Sequence, residues 1–189
     1  MECRIVRAVK SDAADIAETV LAALHVAEDD SRRSLGKQIF TALAGRDDSQ
    51  YSYVNTLKAV ASDGAVLGML VGYDGGDLCR LREAFYEEVE RSTGKNIRYF
   101  AAETDDAEWY IDSLSVRPES RGKGVASALI KEAVRLASSC GKPVGLLVDK
   151  DNDRARRLYE SLGFQPQGER PFAGIMMDHL VRPLDNRAD

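Results

Sequence analysis

Apolar and polar residues alternate from Arg4 to Val9 closely enough to predict a first strand, after which the period changes. Ser11 or Asp12 can cap the helix that follows, whose inner face is Ile16, Val20, Leu21 and Leu24, with Asp15 and Glu18 outside. His25 extends this stripe, either as a half-buried structural histidine or as a residue lining a cleft. Residues 27 to 50 start polar and then carry Leu35, Ile39, Phe40 and Leu43 at helical spacing, so a short second helix is expected before Gly45. The runs Tyr53 to Ala61 and Ala65 to Gly72 flank Asp63-Gly64, a pair suited to the positive φ values of a tight primed turn, and together predict a hairpin. Between Leu78 and Arg91, Leu81, Phe85 and Val89 share one face while Arg82, Glu83, Glu87, Glu88 and Glu90 lie elsewhere; an inserted surface helix is expected, its charged face either solvated or in a substrate role.

Trp109 to Val116 reads as a fourth strand. The helix after it places Ala126, Leu129, Ile130, Ala133, Ala137 and Cys140 toward a core, with Lys131, Glu132, Arg135 and Ser138 outside. Val144 to Val148 is a fifth strand, and Phe164 to Arg170 and Gly174 to Val181 form a last strand pair around Pro171-Phe172-Ala173. The sum is an α/β (α+β) chain, a mixed sheet with helices on both faces.

Length and charge narrow the classes that this pattern can serve. A chain of 189 residues that is 44% hydrophobic can bury one sizeable core, and no Gly/Ser/Pro-rich linker divides it, so a single domain over residues 1–189 is expected. A formal net charge of -5 argues against a nucleic-acid partner and modestly favours a cationic one. Cys3, Cys79 and Cys140 stand apart and only His25 and His179 are present, so no metal site is read from the sequence. Cys140, on the apolar side of its helix, is expected to pack as a small hydrophobe. No apolar leader core follows Met1-Glu2-Cys3-Arg4, and no run approaches the ~20 apolar residues that span a bilayer, so a cytoplasmic protein without a membrane partner is expected.

Chemistry concentrates at Val116-Arg117-Pro118-Glu119-Ser120-Arg121-Gly122-Lys123-Gly124-Val125-Ala126, where a strand turns into a helix through a basic, glycine-bearing loop. The first amides of a helix lack intrahelical partners and carry the positive end of its dipole, so such a turn can hold phosphates. Two nucleotide loops do not fit. Lys123 is followed by Gly124 rather than by the Ser or Thr of a Walker loop, and Ser127 stands where a dinucleotide fingerprint needs its third glycine. A second segment, Asn152-Asp153-Arg154-Ala155-Arg156-Arg157-Leu158-Tyr159-Glu160-Ser161-Leu162-Gly163-Phe164, combines an N-cap Asn152, an inner stripe of Ala155, Leu158 and Leu162, and a helix-ending Gly163.

The pattern Arg-x-x-Gly-x-Ala from Arg121 to Ala126, with Asn-x-x-Ala-x-x-Leu-Tyr-x-x-x-Gly-Phe from Asn152 to Phe164, resembles the GNAT superfamily of acyl-coenzyme A-dependent N-acetyltransferases. That resemblance is strongest from Trp109 to Phe164 and weakest over residues 27 to 50 and 74 to 107, the stretches that choose the acceptor in such enzymes. It implies a mostly antiparallel sheet whose fourth and fifth strands splay apart, with acetyl-coenzyme A as cosubstrate in the gap. The backbone at Leu114, Ser115 and Val116 would hold the pantetheine, and Arg121, Gly122, Lys123, Gly124, Val125 and Ala126 the pyrophosphate. Asn152 and Arg156 would assist, on the pantetheine and the adenosine phosphate.

Tyr159 is the expected general acid at the departing sulfur, and Asp112 the best-placed carboxylate to act as base, although strand alternation leaves its facing open. Glu103, Asp105, Asp106 and Glu108 form an acidic approach that either draws a cationic acceptor or keeps a loop soluble. The function implied is direct acetyl transfer to a primary amine, small-molecule or peptide, in a ternary complex; the alternative is a non-catalytic acyl-coenzyme A sensor. The acceptor, the acyl-chain length and homodimer formation stay open.

Overall fold

The fourth strand has a full partner on one side and a partial one on the other, and that asymmetry opens the molecule. In a computed structural model, which describes residues 3–27, 30, 32–98 and 100–184, the strands are β1 (Arg4–Arg7), β2 (Thr56–Val60), β3 (Val66–Asp74), β4 (Trp109–Val116), β5 (Val144–Val148), β6 (Gln165–Phe172) and β7 (Ile175–Arg182). Met1-Glu2 and part of the polar stretch 27 to 50 lie outside the described residues. One seven-stranded sheet has the order β1-β2-β3-β4-β5-β7-β6, antiparallel except where β4 runs parallel to β5. β3 and β4 pair from Gly68↔Val116 to Asp74↔Trp109, whereas β4 and β5 pair only at Trp109↔Val144, Tyr110↔Gly145 and Ile111↔Leu146. Beyond Ile111 the two strands separate, as the resemblance implied.

Among the described residues five α-helices cover the sheet: α1 (Ala13–Ala23), α2 (Arg33–Ala44), α3 (Leu78–Thr93), α4 (Val125–Ser139) and α5 (Asp153–Ser161). Strand alternation sorts the two faces. Leu70, Ile111 and Leu146 point toward Leu129, Ile130, Ala133 and Ala137 of α4, while Met69 and Val71 point toward Ile16, Val20 and Leu21 of α1 and Ile39 and Leu43 of α2. No helix among the described residues is long and apolar enough to cross a membrane.

Several expectations change in detail. Helix α1 ends at Ala23, so Leu24 leaves the inner stripe and is 37% exposed. The β2–β3 connection is not a primed turn: only Gly64 takes a positive φ, +88°, and Ala61 donates to the Ala65 carbonyl to close a longer loop. β2 starts at Thr56 because Ser52 caps a 3-10 turn over Tyr53–Asn55, its hydroxyl accepting from the Val54 amide. Cys140 is not a core residue; it caps the C-terminus of α4 and is exposed, since Lys142 closes back on the Ala137 carbonyl just beyond it. Helix α3 keeps Glu83, Glu87 and Glu90 exposed as expected, but Arg82 and Glu88 of the charged set are buried along it with Leu78, Leu81 and Ala84.

Candidate active site

Between the parted strands lies a cleft of about 610 Å³ that runs from Leu114, Ser115 and Val116 past Arg121, Gly122 and Gly124 to Asn152, Arg154 and Tyr159. Strand alternation brings backbone groups into its lining. Arg117 donates to the Leu67 carbonyl of β3, so strand alternation turns the Ser115 amide toward β3 and the amides and carbonyls of Leu114 and Val116 into the gap. The Val116 carbonyl there accepts from Arg121 Nε at 3.2 Å. At the far end Gly122 and Gly124 hold φ of +74° and +82°, which lets the chain reverse into α4 with Gly124 as its N-cap. A Cβ at either glycine would meet no neighbouring atom, so conformation rather than space requires glycine there.

Among the described residues, the amides of residues 122–127 donate to no protein acceptor, and the helical ladder resumes where Ala128 donates to the Gly124 carbonyl at 3.0 Å. A run of unpaired amides at the positive end of a four-turn helix is a fitting seat for a diphosphate.

Helix α5 forms the opposite wall. Asn152 accepts from the Ala155 amide at 3.1 Å through Oδ1, which leaves its Nδ2 for the cleft that it lines. Tyr159 is half-buried against Phe164, ring centroids 5.7 Å apart, and burial pushes its phenol up to about 12. Among the described residues none hydrogen-bonds that hydroxyl, so Tyr159 holds its proton across the neutral range and has it free to donate. Of the sequence-predicted residues, Lys123 and Arg156 are not in the cleft lining. Arg156 forms a tight ion pair with Asp178 of β7, and Arg154 of the same helix lines the cleft instead.

Past Tyr159 the cleft narrows into a chamber of about 180 Å³ that contains Asp112. Its facing, undecided by alternation, is set by a bulge. Val71 pairs with Ser113 and Gly72 with Ile111, so Asp112 is the extra residue of β4 and turns its side chain to the α1–α3 face. There Tyr73 Oη donates to Oδ2 at 3.0 Å, Gln50 Nε2 to the same oxygen at 3.2 Å, and Ser113 Oγ to Oδ1 at 2.8 Å. Burial nevertheless pushes the Asp112 carboxyl above its ordinary 3.8, against the pull of those three donors and of the Arg82 charge. Tyr51, Tyr73 and Tyr110 around it are pushed up by burial and then by the Asp112 charge, so they stand as neutral phenols.

The acidic approach separates into different parts. Glu103 is 1% exposed and tightly ion-paired with Arg82, and Glu108 is 3% exposed, receiving His179 Nε2 at 2.9 Å and Thr104 Oγ1 at 2.8 Å. Neither is a solvated loop carboxylate. His25 is exposed rather than half-buried, holds a left-handed φ of 54°, and places Nδ1 3.6 Å from Asp149 at the border of chamber and cleft. Gln50, Tyr51, Tyr73 and Arg82 surround Asp112 and no motif marks them; they reach it only through the register of β3 and the packing of α3.

Comparison with known proteins fits this geometry. The family model described as the acetyltransferase (GNAT) family matches residues 25–164. A crystal structure of an acetyltransferase is 27% identical, covers 96% of this chain and 100% of its own, and superposes with a TM-score of 0.77. An N-acetyltransferase from Staphylococcus aureus Mu50, 22% identical over 94% of this chain and 99% of its own, shares the fold with a TM-score of 0.79. The mycothiol acetyltransferase of Nocardiopsis dassonvillei is 48% identical over 52 residues, which are 27% of this chain and 16% of that protein.

Proposed function

Because this chain belongs to the GNAT acetyltransferase family and is thereby an acyltransferase, we propose that it transfers the acetyl group of acetyl-coenzyme A to a primary amine by direct attack in a ternary complex. One observation carries the reading. The half-buried Asp112 and the proton-bearing Tyr159 line one chamber that opens into the glycine-loop cleft, so a base and an acid flank the place where an acyl group would lie. The coenzyme would supply the acetyl thioester.

The residues present fit it. The unpaired amides of residues 122–127, with Arg121 and Arg154 beside them, would take the diphosphate; the Leu114 and Val116 backbone and Asn152 Nδ2 would align the pantetheine as a short extra strand. An amide aimed at the thioester carbonyl stabilises the negative charge that builds there during attack, at little reorganisation cost.

An amine with a free pKa of about 10 arrives mostly protonated, and a carboxylate whose pKa is raised by burial accepts a proton more readily than an ordinary one. Solvent takes the first proton of the ammonium before attack, which frees the lone pair, and Asp112 takes the second as the C–N bond forms. Tyr159 gives its proton to the sulfur as the C–S bond breaks. Free thiol and acetamide leave, and solvent returns a proton to Tyr159 and removes one from Asp112. The test is thiol detection of coenzyme A release across a panel of amines: amine-dependent release supports transfer, and tight coenzyme binding with no amine-dependent release would assign the fold to sensing.

A further inference from the structure

Next to the Asp112 chamber, and sharing Leu24, Tyr51 and Phe172 with it, lies a second cavity of about 400 Å³ that the reaction scheme above does not use. Its walls are Phe40, Phe85, Phe100 and Phe172, drawn from α2, α3, the stretch before β4 and the β6–β7 hairpin. Phe40, Tyr51 and Phe85 stack or meet edge-on with centroids 4.9 to 6.4 Å apart, which makes a stiff aromatic box.

Two polar features interrupt it. Arg82 lines the cavity, yet its guanidinium is already spent on Glu103 and on the Ala101 carbonyl at 3.1 Å. Gln50, 2% exposed, gives Nε2 to Asp112, while its Oε1 is buried and has no hydrogen-bond partner. A buried carbonyl without a partner is destabilising, and a ligand N–H at this place would relieve it.

Resting on the acyl-transfer reading, we propose that the acceptor is an amine carried on one apolar, ring-sized body without a carboxylate, its ring in the box formed by Phe40, Phe85, Phe100 and Phe172 and its nitrogen between Gln50 Oε1 and Asp112. The charges select this class. A polyamine would bring further ammonium groups against phenyl walls, with Glu103 already paired to Arg82, and an unpaired buried charge is strongly penalised. An amino acid would bring a carboxylate, and the cationic group in the lining, Arg82, is already neutralised by Glu103.

The probes are 2-phenylethylamine, spermidine and phenylalanine, titrated calorimetrically into the free protein and into the coenzyme A-saturated protein, where no turnover occurs. 2-Phenylethylamine is expected to bind at least about tenfold more tightly than either competitor, a difference of about 1.4 kcal/mol. Phe85→Ala and Gln50→Leu should each weaken it severalfold and leave coenzyme A affinity unchanged. Phe100→Ala, at a position 41% exposed, reads the same box if a buried variant does not fold. Spermidine or phenylalanine binding as tightly as 2-phenylethylamine, or no binding of 2-phenylethylamine, would overturn the inference. Failure of coenzyme A itself to bind, with 2-phenylethylamine still held, would instead remove the acyl-transfer reading and leave the pocket.

Discussion

Tyr73 Oη donates to Asp112 Oδ2 at 3.0 Å across the β3–β4 bulge, and this bond favours the charged form of a carboxyl that burial disfavours. Tyr73→Phe removes one of the donors that lower the pKa. If Asp112 is the base, the acidic limb of the kcat/KM profile lies above pH 3.8 and moves to higher pH in Tyr73→Phe, with the plateau at alkaline pH largely kept. A limb that stays in place would separate Asp112 from the proton transfer.

As the proposed base, the same carboxyl would link activity to stability with a definite sign. Its folded pKa is raised, so between the unfolded value and the folded one the native state binds more protons, and stability falls as pH rises through that window. Asp112→Asn should therefore lose turnover by a factor of about 10²–10⁴ while melting no lower than the parent at pH 8. Its advantage should shrink as the pH is taken down toward 4, which thermal melts of both proteins would read.

Tyr159→Phe keeps the ring against Phe164 and deletes only the proton donor. Turnover should fall by about 10²–10⁴, with coenzyme A affinity nearly intact. The phenol is held up to about 12, so no alkaline limb below pH 10 should come from it. Equal losses in binding and turnover would assign Tyr159 to packing.

Arg154 and Arg156 sit two residues apart on α5 and do different things. Arg156 ties the helix to Asp178 on β7, whereas Arg154 faces the cleft. Arg154→Ala should weaken coenzyme A and not pantetheine, a contrast that competition binding would expose. Arg156→Ala should chiefly lower the melting temperature.

At Gly145 the constraint is space. A Cβ there would collide with the Glu108 carboxylate, which holds His179 and Thr104 on the buried side of β5. Gly145→Ala should cost about 1–3 kcal/mol by overpacking, measurable as a shift in urea midpoint at unchanged slope.

What the letters disclose and what they hide follows from the range of the forces involved. The loop at Gly122 and Gly124 and the cap at Asn152 are local devices: a positive φ or an N-cap is decided within a few residues, so both could be read directly. Asp112 shows the limit. Its identity was legible but its facing was not, because a bulge against Val71 and Gly72 is a property of pairing and not of the β4 sequence. Gln50 lies 62 residues from Asp112 and Tyr73 lies 39 away, and nothing local marks either one. Glu103 and Glu108 read as solvated because their partners, Arg82 and His179, come from α3 and β7. Cys140 failed for a smaller reason, since the helical period continues on paper one residue past the point where the backbone closes.

The proposed grip of the α4 N-terminus on a diphosphate is tested most directly by calorimetric titration of the full chain with coenzyme A and, separately, with pantetheine, which carries the same arm without phosphates. One site per chain is expected for coenzyme A, bound at least about tenfold more tightly than pantetheine, a gap of about 1.4 kcal/mol or more. No heat with coenzyme A at millimolar concentration, or equal affinity for the two ligands, would contradict it.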